Sequence, residues 1–128
     1  MKILLDTVTF LLAVTDAPEL SADARQSFAD PDNNIYLSSV SSWEISVKNT
    51  LGKLPLPDQP AKCVPAQCKQ HGIECLDLDE ESALHLNRLP PLHKDPFDRM
   101  LVCQAVTHGL VELTPDRLIT QYAARTAW

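Results

Sequence analysis

Four acids in this 128-residue chain, Asp6, Glu44, Asp98 and Asp116, stand where side chains can do chemistry. Asp6 directly follows the apolar run Ile3-Leu4-Leu5, and Asp116 follows Leu110-Val111-Glu112-Leu113 by two residues. Glu44 falls early in a helical stretch that follows Ile35-Tyr36-Leu37, and Asp98 falls in the first turn of a helix opened by Asp95-Pro96. Carboxylates that converge repel one another unless a cation lies between them, and hard divalent ions with oxygen ligands meet that need. Such an ion can activate a water and polarise a phosphodiester.

Each acid also has a purely structural reading. Asp6 can cap a first helix. Asp95 at the N-cap, Pro96 at N1 and Asp98 at N3 form a favourable helix start, and capping is the preferred reading of Asp95. Asp116 can open a last short helix, and Glu44 can pair with Lys48 one turn on, although an exposed pair of that kind contributes only about 0.3–0.5 kcal/mol. What favours chemistry is that all four fall at one edge once the elements are placed.

Those elements alternate. Ile3-Leu4-Leu5 reads as a strand buried on both faces. Helices are expected over Val8–Thr15, over Ser21–Ala29 with Ser21 as cap, and over a stretch from Ser38–Ser42 to Gly52. Ile35-Tyr36-Leu37 is the second strand, after the turn-rich Asp30-Pro31-Asp32-Asn33-Asn34. Leu54-Pro55-Leu56-Pro57 is an extended linker, because its two prolines lack donors. A helix from Pro60 to Gln70, a third strand over Ile73–Leu78 and a helix over Ser82–Leu89 follow. The segment after Asp95 is apolar on most sides from Met100 to Val106 and reads as a central buried helix ending at Gly109. Leu110–Leu113 is the fourth strand, Asp116–Tyr122 a short helix and Thr126–Trp128 a short last strand. Strands joined by helices imply parallel pairing through right-handed crossovers. The expectation is a three-layer α/β/α sandwich with a central parallel sheet of four to five strands, in one domain spanning residues 1–128. In such a sheet every strand ends on the same edge, where the following helix begins, which gathers Asp6, Glu44, Asp98 and Asp116.

Composition narrows the alternatives. A net charge of −6 argues against gripping nucleic acid through a broad basic surface, but not against meeting phosphates through a bound ion. The four cysteines form no CxxC pair, and His71, His85, His93 and His108 are never spaced i, i+4, so no zinc site is expected and the thiols read as free, Cys103 as core. The 3 glycines form no phosphate-cradling loop, which disfavours a small-molecule phosphatase. No apolar run reaches the roughly 20 residues of a membrane span. An acid at position 6 interrupts any leader-like start, and the expected location is the cytoplasm.

At these residues the chain resembles the VapC branch of the PIN-domain nucleases along almost its whole length. The resemblance rests on Leu4-Leu5-Asp6-Thr7, on Ser42-Trp43-Glu44-Ile45 with Lys48 and Leu51-Gly52-Lys53-Leu54-Pro55-Leu56-Pro57, on His93-Lys94-Asp95-Pro96-Phe97-Asp98-Arg99-Met100-Leu101 with Gln104-Ala105, and on Leu113-Thr114-Pro115-Asp116. It implies a PIN-like fold whose acids, here Asp6, Glu44, Asp98 and Asp116, bind Mg²⁺ or Mn²⁺ and cut RNA, such as a transfer RNA. It places Thr7 and Thr114 where hydroxyls arrange the acids or solvent, and Lys48 and Arg99 near a substrate phosphate. It further implies a toxin held inactive by a VapB-like antitoxin whose tail enters the cleft, seated on apolar surface from Phe10, Leu11, Val14 and Leu20, and a homodimer. Val8 and Leu11 stand where many relatives carry His and Trp, a change in the cleft wall rather than in the acids. A catalytically silent PIN-like module that only binds RNA or protein is the alternative.

Overall fold

Ile3, Leu4 and Leu5 are at most 1% exposed, as a strand covered on both faces requires. A computed structural model describes all 128 residues. Its elements run β1 (Lys2–Leu5), α1 (Thr7–Val14), α2 (Ala22–Ala29), β2 (Asn34–Ser38), α3 (Ser39–Thr50), α4 (Pro60–His71), β3 (Glu74–Leu76), α5 (Glu80–Leu84), α6 (Pro96–His108), β4 (Val111–Leu113) and β5 (Arg125–Ala127). The five strands form one parallel sheet in the order β3-β2-β1-β4-β5. The expected α/β architecture is therefore present, with the sheet at the upper end of the expected strand number.

Strand alternation divides the core between the two faces. Ile3, Leu5, Ile35, Leu37 and Leu113 point to one side, where they pack with Phe10, Ala13, Leu20, Ala24 and Val64 from α1, α2, their connection and α4. Leu4 points to the other, against Val40, Leu101, Ala105 and Leu110. Leu101 through Ala105 are all buried, so α6 is the central helix expected from its all-round apolar sequence. Cys103 is 0% exposed and packs with Leu89, Val102, Ile119 and Tyr122, as a core thiol does.

Local signals set the helix ends. Asp6, Ser21, Ser38, Asp79 and Asp95 each accept a backbone N–H from the turn they precede. Gly72 and Gly109 close α4 and α6 with φ of 66° and 65°, the left-handed cap that glycine adopts without a Cβ penalty. The Ser38 hydroxyl also bonds Gln104, and Gln104 Nε2 donates to the Asp77 carbonyl at 3.3 Å, so α6 is pinned to the ends of β2 and β3.

Three expected elements come out divided or shorter. The helix over Ser82–Leu89 is α5 followed by a 3₁₀ turn, His85–Arg88. The third strand keeps only Glu74–Leu76, on a sheet edge. The helix over Asp116–Tyr122 reduces to a 3₁₀ turn, Ile119–Gln121, because the Asp116 side chain takes the Leu118 N–H at 2.8 Å and so offers the backbone an alternative to the helical ladder.

Candidate metal centre

Register brings the acids together. Leu5 of β1 lies level with Leu37 of β2 and Leu113 of β4, so Asp6 and Thr114 leave the sheet at one edge, beside Ser38, the last residue of β2. Sequence order reverses between β1 and β4, and at such a switch point the helices on either side diverge and leave a crevice. Asp6 comes from one side of the switch and Asp116 from the other.

Asp6 is 4% exposed and fully engaged. Its Oδ1 accepts the Thr9 N–H at 2.7 Å and its Oδ2 accepts the Thr114 hydroxyl at 2.5 Å. Burial raises its pKa against these donors, and the nearby Asp116 charge adds to the rise. Glu44, also 4% exposed, accepts the Thr7 hydroxyl at 2.6 Å on Oε1 and the Lys48 ammonium on Oε2. Thr7 also shares a hydrogen bond with the Ser41 hydroxyl at 2.9 Å. The Glu44–Lys48 pair read from the sequence is thus formed, but on a buried carboxylate rather than an exposed one.

Asp95 is the N-cap of α6, accepting from Phe97 N at 2.8 Å and Asp98 N at 3.1 Å. Its cap holds the first turn of α6 so that the Asp98 carboxylate faces His93. One residue ahead of each acid an aromatic joins the two helices: Trp43 of α3 meets Phe97 of α6 edge-on, with centroids 5.0 Å apart. Asp98 is pushed up to about 7, first by burial and then by the charges of Asp95 and Glu44. Asp116 goes the other way. Burial opposes its ionisation, but hydrogen bonds from His93 and the Leu118 N–H leave its pKa lowered.

His93 was not among the residues selected from the sequence. Its Nε2 lies 2.8 Å from Asp116 Oδ2 and 3.2 Å from Asp98 Oδ2. His93, Asp98 and Asp116 thereby form a compact group of three side chains of types that can ligate a metal. Asp6 and Glu44 stand outside this trio but close enough for their charges to act on it. The histidine's position five residues before Asp98 was visible, but its contact with Asp116 spans 23 residues and depends on the fold.

Glu112 was also missed. It lies mid-strand in β4, is 0% exposed, and neither carboxylate oxygen has a hydrogen-bond partner. Burial and the charges of Asp6, Asp98 and Asp116 push its pKa well up.

The remaining expected site residues are placed unevenly. Thr7 and Thr114 are 5% and 2% exposed with their hydroxyls spent on carboxylates, so they brace acids rather than face a substrate. Lys48 is half-exposed at the same edge. Arg99 turns toward the Leu89 carbonyl, 3.4 Å from Nη2, and its Nε is buried without a partner.

A divalent ion fits this donor set. Several hard oxygen donors converge, two of them so poorly solvated that their charge is disfavoured, and the cation beside them, Lys48, is already taken by Glu44. The orphaned Glu112 behind them adds to the same excess of unbalanced acid.

Comparison with known proteins bears on this arrangement. The family model described as PIN domain matches residues 3–125. Ribonuclease VapC16 of Mycobacterium tuberculosis (strain ATCC 25618 / H37Rv) is 39% identical over 72 residues, 53% of this chain and 51% of that protein. The match thus spans about half the length of that relative. The crystal structure of VapBC2 from Rickettsia felis, bound to a DNA fragment from its promoter, superposes with a TM-score of 0.74 at 15% identity, covering 99% of this chain and 98% of the other. VapBC-1 from nontypeable Haemophilus influenzae gives 0.64 at 19% identity, covering 99% and 97%. At these identities the two structures speak for the fold.

Proposed function

The chain belongs to the PIN-domain family, and from that premise we propose that it is a VapC-like, divalent-metal-dependent endoribonuclease, the toxin of a toxin–antitoxin pair. The observation that carries the reading is the close approach of Asp98 and Asp116 around His93, with Asp6 and Glu44 near enough for their charges to act on Asp98 and Lys48 already paired to Glu44. The relative named a ribonuclease supports the reaction class.

Asp6, Asp98 and Asp116 would hold Mg²⁺ or Mn²⁺, with Glu44 as a further ligand or the group that orients the attacking water. Bound there, the ion supplies a water of lowered pKa and stabilises charge on the non-bridging phosphate oxygens. The chain's own contribution is preorganisation. Thr114 and the Thr9 N–H fix both oxygens of Asp6, while Thr7 and Lys48 fix both oxygens of Glu44. Each acid is therefore held without rotamer freedom to lose when RNA arrives. Lys48, half-exposed beside Glu44, is the residue best placed to meet a substrate phosphate.

The apolar groove lined by Leu11, Val14, Leu56, Pro57 and Val64 is where a VapB-like antitoxin would dock. Of the four residues expected at that surface, Phe10, Leu11 and Val14 line the groove, Phe10 from a core position, whereas Leu20 is buried outside it and serves the core. The family resemblance also implies a homodimer and an RNA target such as a transfer RNA.

The test is incubation of the purified protein with total host RNA in Mg²⁺, in Mn²⁺ and in EDTA, beside Asp98→Asn checked for folding by circular dichroism. Discrete metal-dependent fragments that the variant does not produce are the expected result. Metal binding without cleavage of any host RNA points to a silent binding module instead, and absence of metal binding defeats the proposal.

A further inference from the structure

In this chain the gap between two of the acids is already bridged by a donor of its own. His93 Nδ1 accepts the Asp95 N–H at 3.0 Å, so that nitrogen carries the lone pair and the ring proton of the neutral imidazole sits on Nε2. That proton faces Asp116 Oδ2 and Asp98 Oδ2, at nitrogen–oxygen distances of 2.8 and 3.2 Å. The residue is further anchored by its main-chain N–H, which donates to the Tyr122 hydroxyl at 2.7 Å. The ring is thus fixed from behind by Asp95, held in the backbone by Tyr122, and aimed between two carboxylates.

We propose that His93 is a built-in stand-in for the cation: it clamps Asp98 and Asp116 together in the metal-free protein and must give up the gap for an ion to enter. This rests on the reading of the site as a divalent-metal centre. The alternative role, a nitrogen ligand, needs a lone pair on Nε2. The proton would then have to move to Nδ1, where the Asp95 N–H already donates and two donors would face each other. An N–H pointed into a cation site repels the cation, so His93 as placed competes with metal. The clamp offsets the mutual repulsion of Asp98 and Asp116 while no ion is bound, as a donor to carboxylates does. His93 is accordingly a positioning residue.

The two roles predict opposite signs for one measurement. Mn²⁺ is titrated by calorimetry into wild type and His93→Ala, and both are melted in EDTA and in saturating Mn²⁺. A clamp predicts Mn²⁺ affinity higher by about tenfold in the variant, because one charge-assisted hydrogen-bond donor no longer has to be displaced. It also predicts a lower melting temperature in EDTA and a larger upward shift on adding Mn²⁺. His93→Gln, which keeps an amide donor, should fall between the two and serves as the readout if the alanine variant does not fold. A tenfold loss of affinity in either variant makes His93 a ligand and overturns the clamp while leaving the metal centre standing. Unchanged affinity makes it a bystander and overturns the clamp equally. No Mn²⁺ binding by wild type or variants defeats the metal centre and the clamp with it.

Discussion

Asp98→Asn should stabilise the metal-free protein at pH 8. The Asp98 carboxyl is pushed from an ordinary 3.8 to about 7, chiefly by burial. Between those values the folded chain holds a proton that the unfolded chain has released, so stability falls as pH rises from about 4 to 7 and stays lower above. At about 1.36 kcal/mol per pH unit the shift sets a ceiling near ~4 kcal/mol. The side chain is still 20% exposed, and solvent screening brings the expected penalty to about 1–2 kcal/mol. Asparagine keeps the shape and an acceptor for His93 but cannot ionise. For a chain of this size that corresponds to a melting temperature about 4–8 °C above wild type in EDTA at pH 8. The difference should be smaller at pH 4.5, where both side chains are neutral in the folded state. Saturating Mn²⁺ should reverse the order, since a ligand at about 100 times its dissociation constant stabilises wild type by about 2.7 kcal/mol. A variant that melts below wild type at pH 8 in EDTA would refute the reasoning, because Asp98 would then be supporting the fold rather than straining it.

Two further substitutions separate strain from support. Glu112→Leu removes a fully buried carboxyl with no partner and replaces it with an apolar side chain of similar bulk. It should raise stability by about 1–3 kcal/mol in denaturant melts, and Glu112→Gln, which leaves a buried polar group, should gain less. Destabilisation by the leucine would mean that Glu112 has a partner in solution. Thr114→Val keeps the volume but strips Asp6 Oδ2 of its donor. It should cost about 1–3 kcal/mol and reduce RNA cleavage more than tenfold with the circular dichroism spectrum unchanged, whereas undiminished cleavage would mean that Asp6 needs no fixing.

Much of this protein is determined locally and is therefore legible along the chain. Asp6, Ser21, Ser38 and Asp95 cap helices because each stands directly before the N–H groups it serves, and Gly72 and Gly109 stop helices because only glycine turns left-handed cheaply. Strands that alternate with helices are expected to pair in parallel, and parallel strands end on one edge, so the expectation that Asp6, Glu44, Asp98 and Asp116 lie toward one edge follows from order alone. What only the tertiary structure decided depends on burial and on side chains distant in sequence. His93 reaches Asp116 because the loop before α6 folds back under the Tyr122 hydroxyl, a contact with no local pattern. Thr7 and Thr114 act on Glu44 and Asp6 across 37 and 108 residues, so nothing beside either threonine marks which acid it braces. Glu112 reads along the chain as one acid in an apolar strand, which commonly points to water. The sheet instead places β4 between β1 and β5 with both faces covered, and that closure removes the solvent an acid would need.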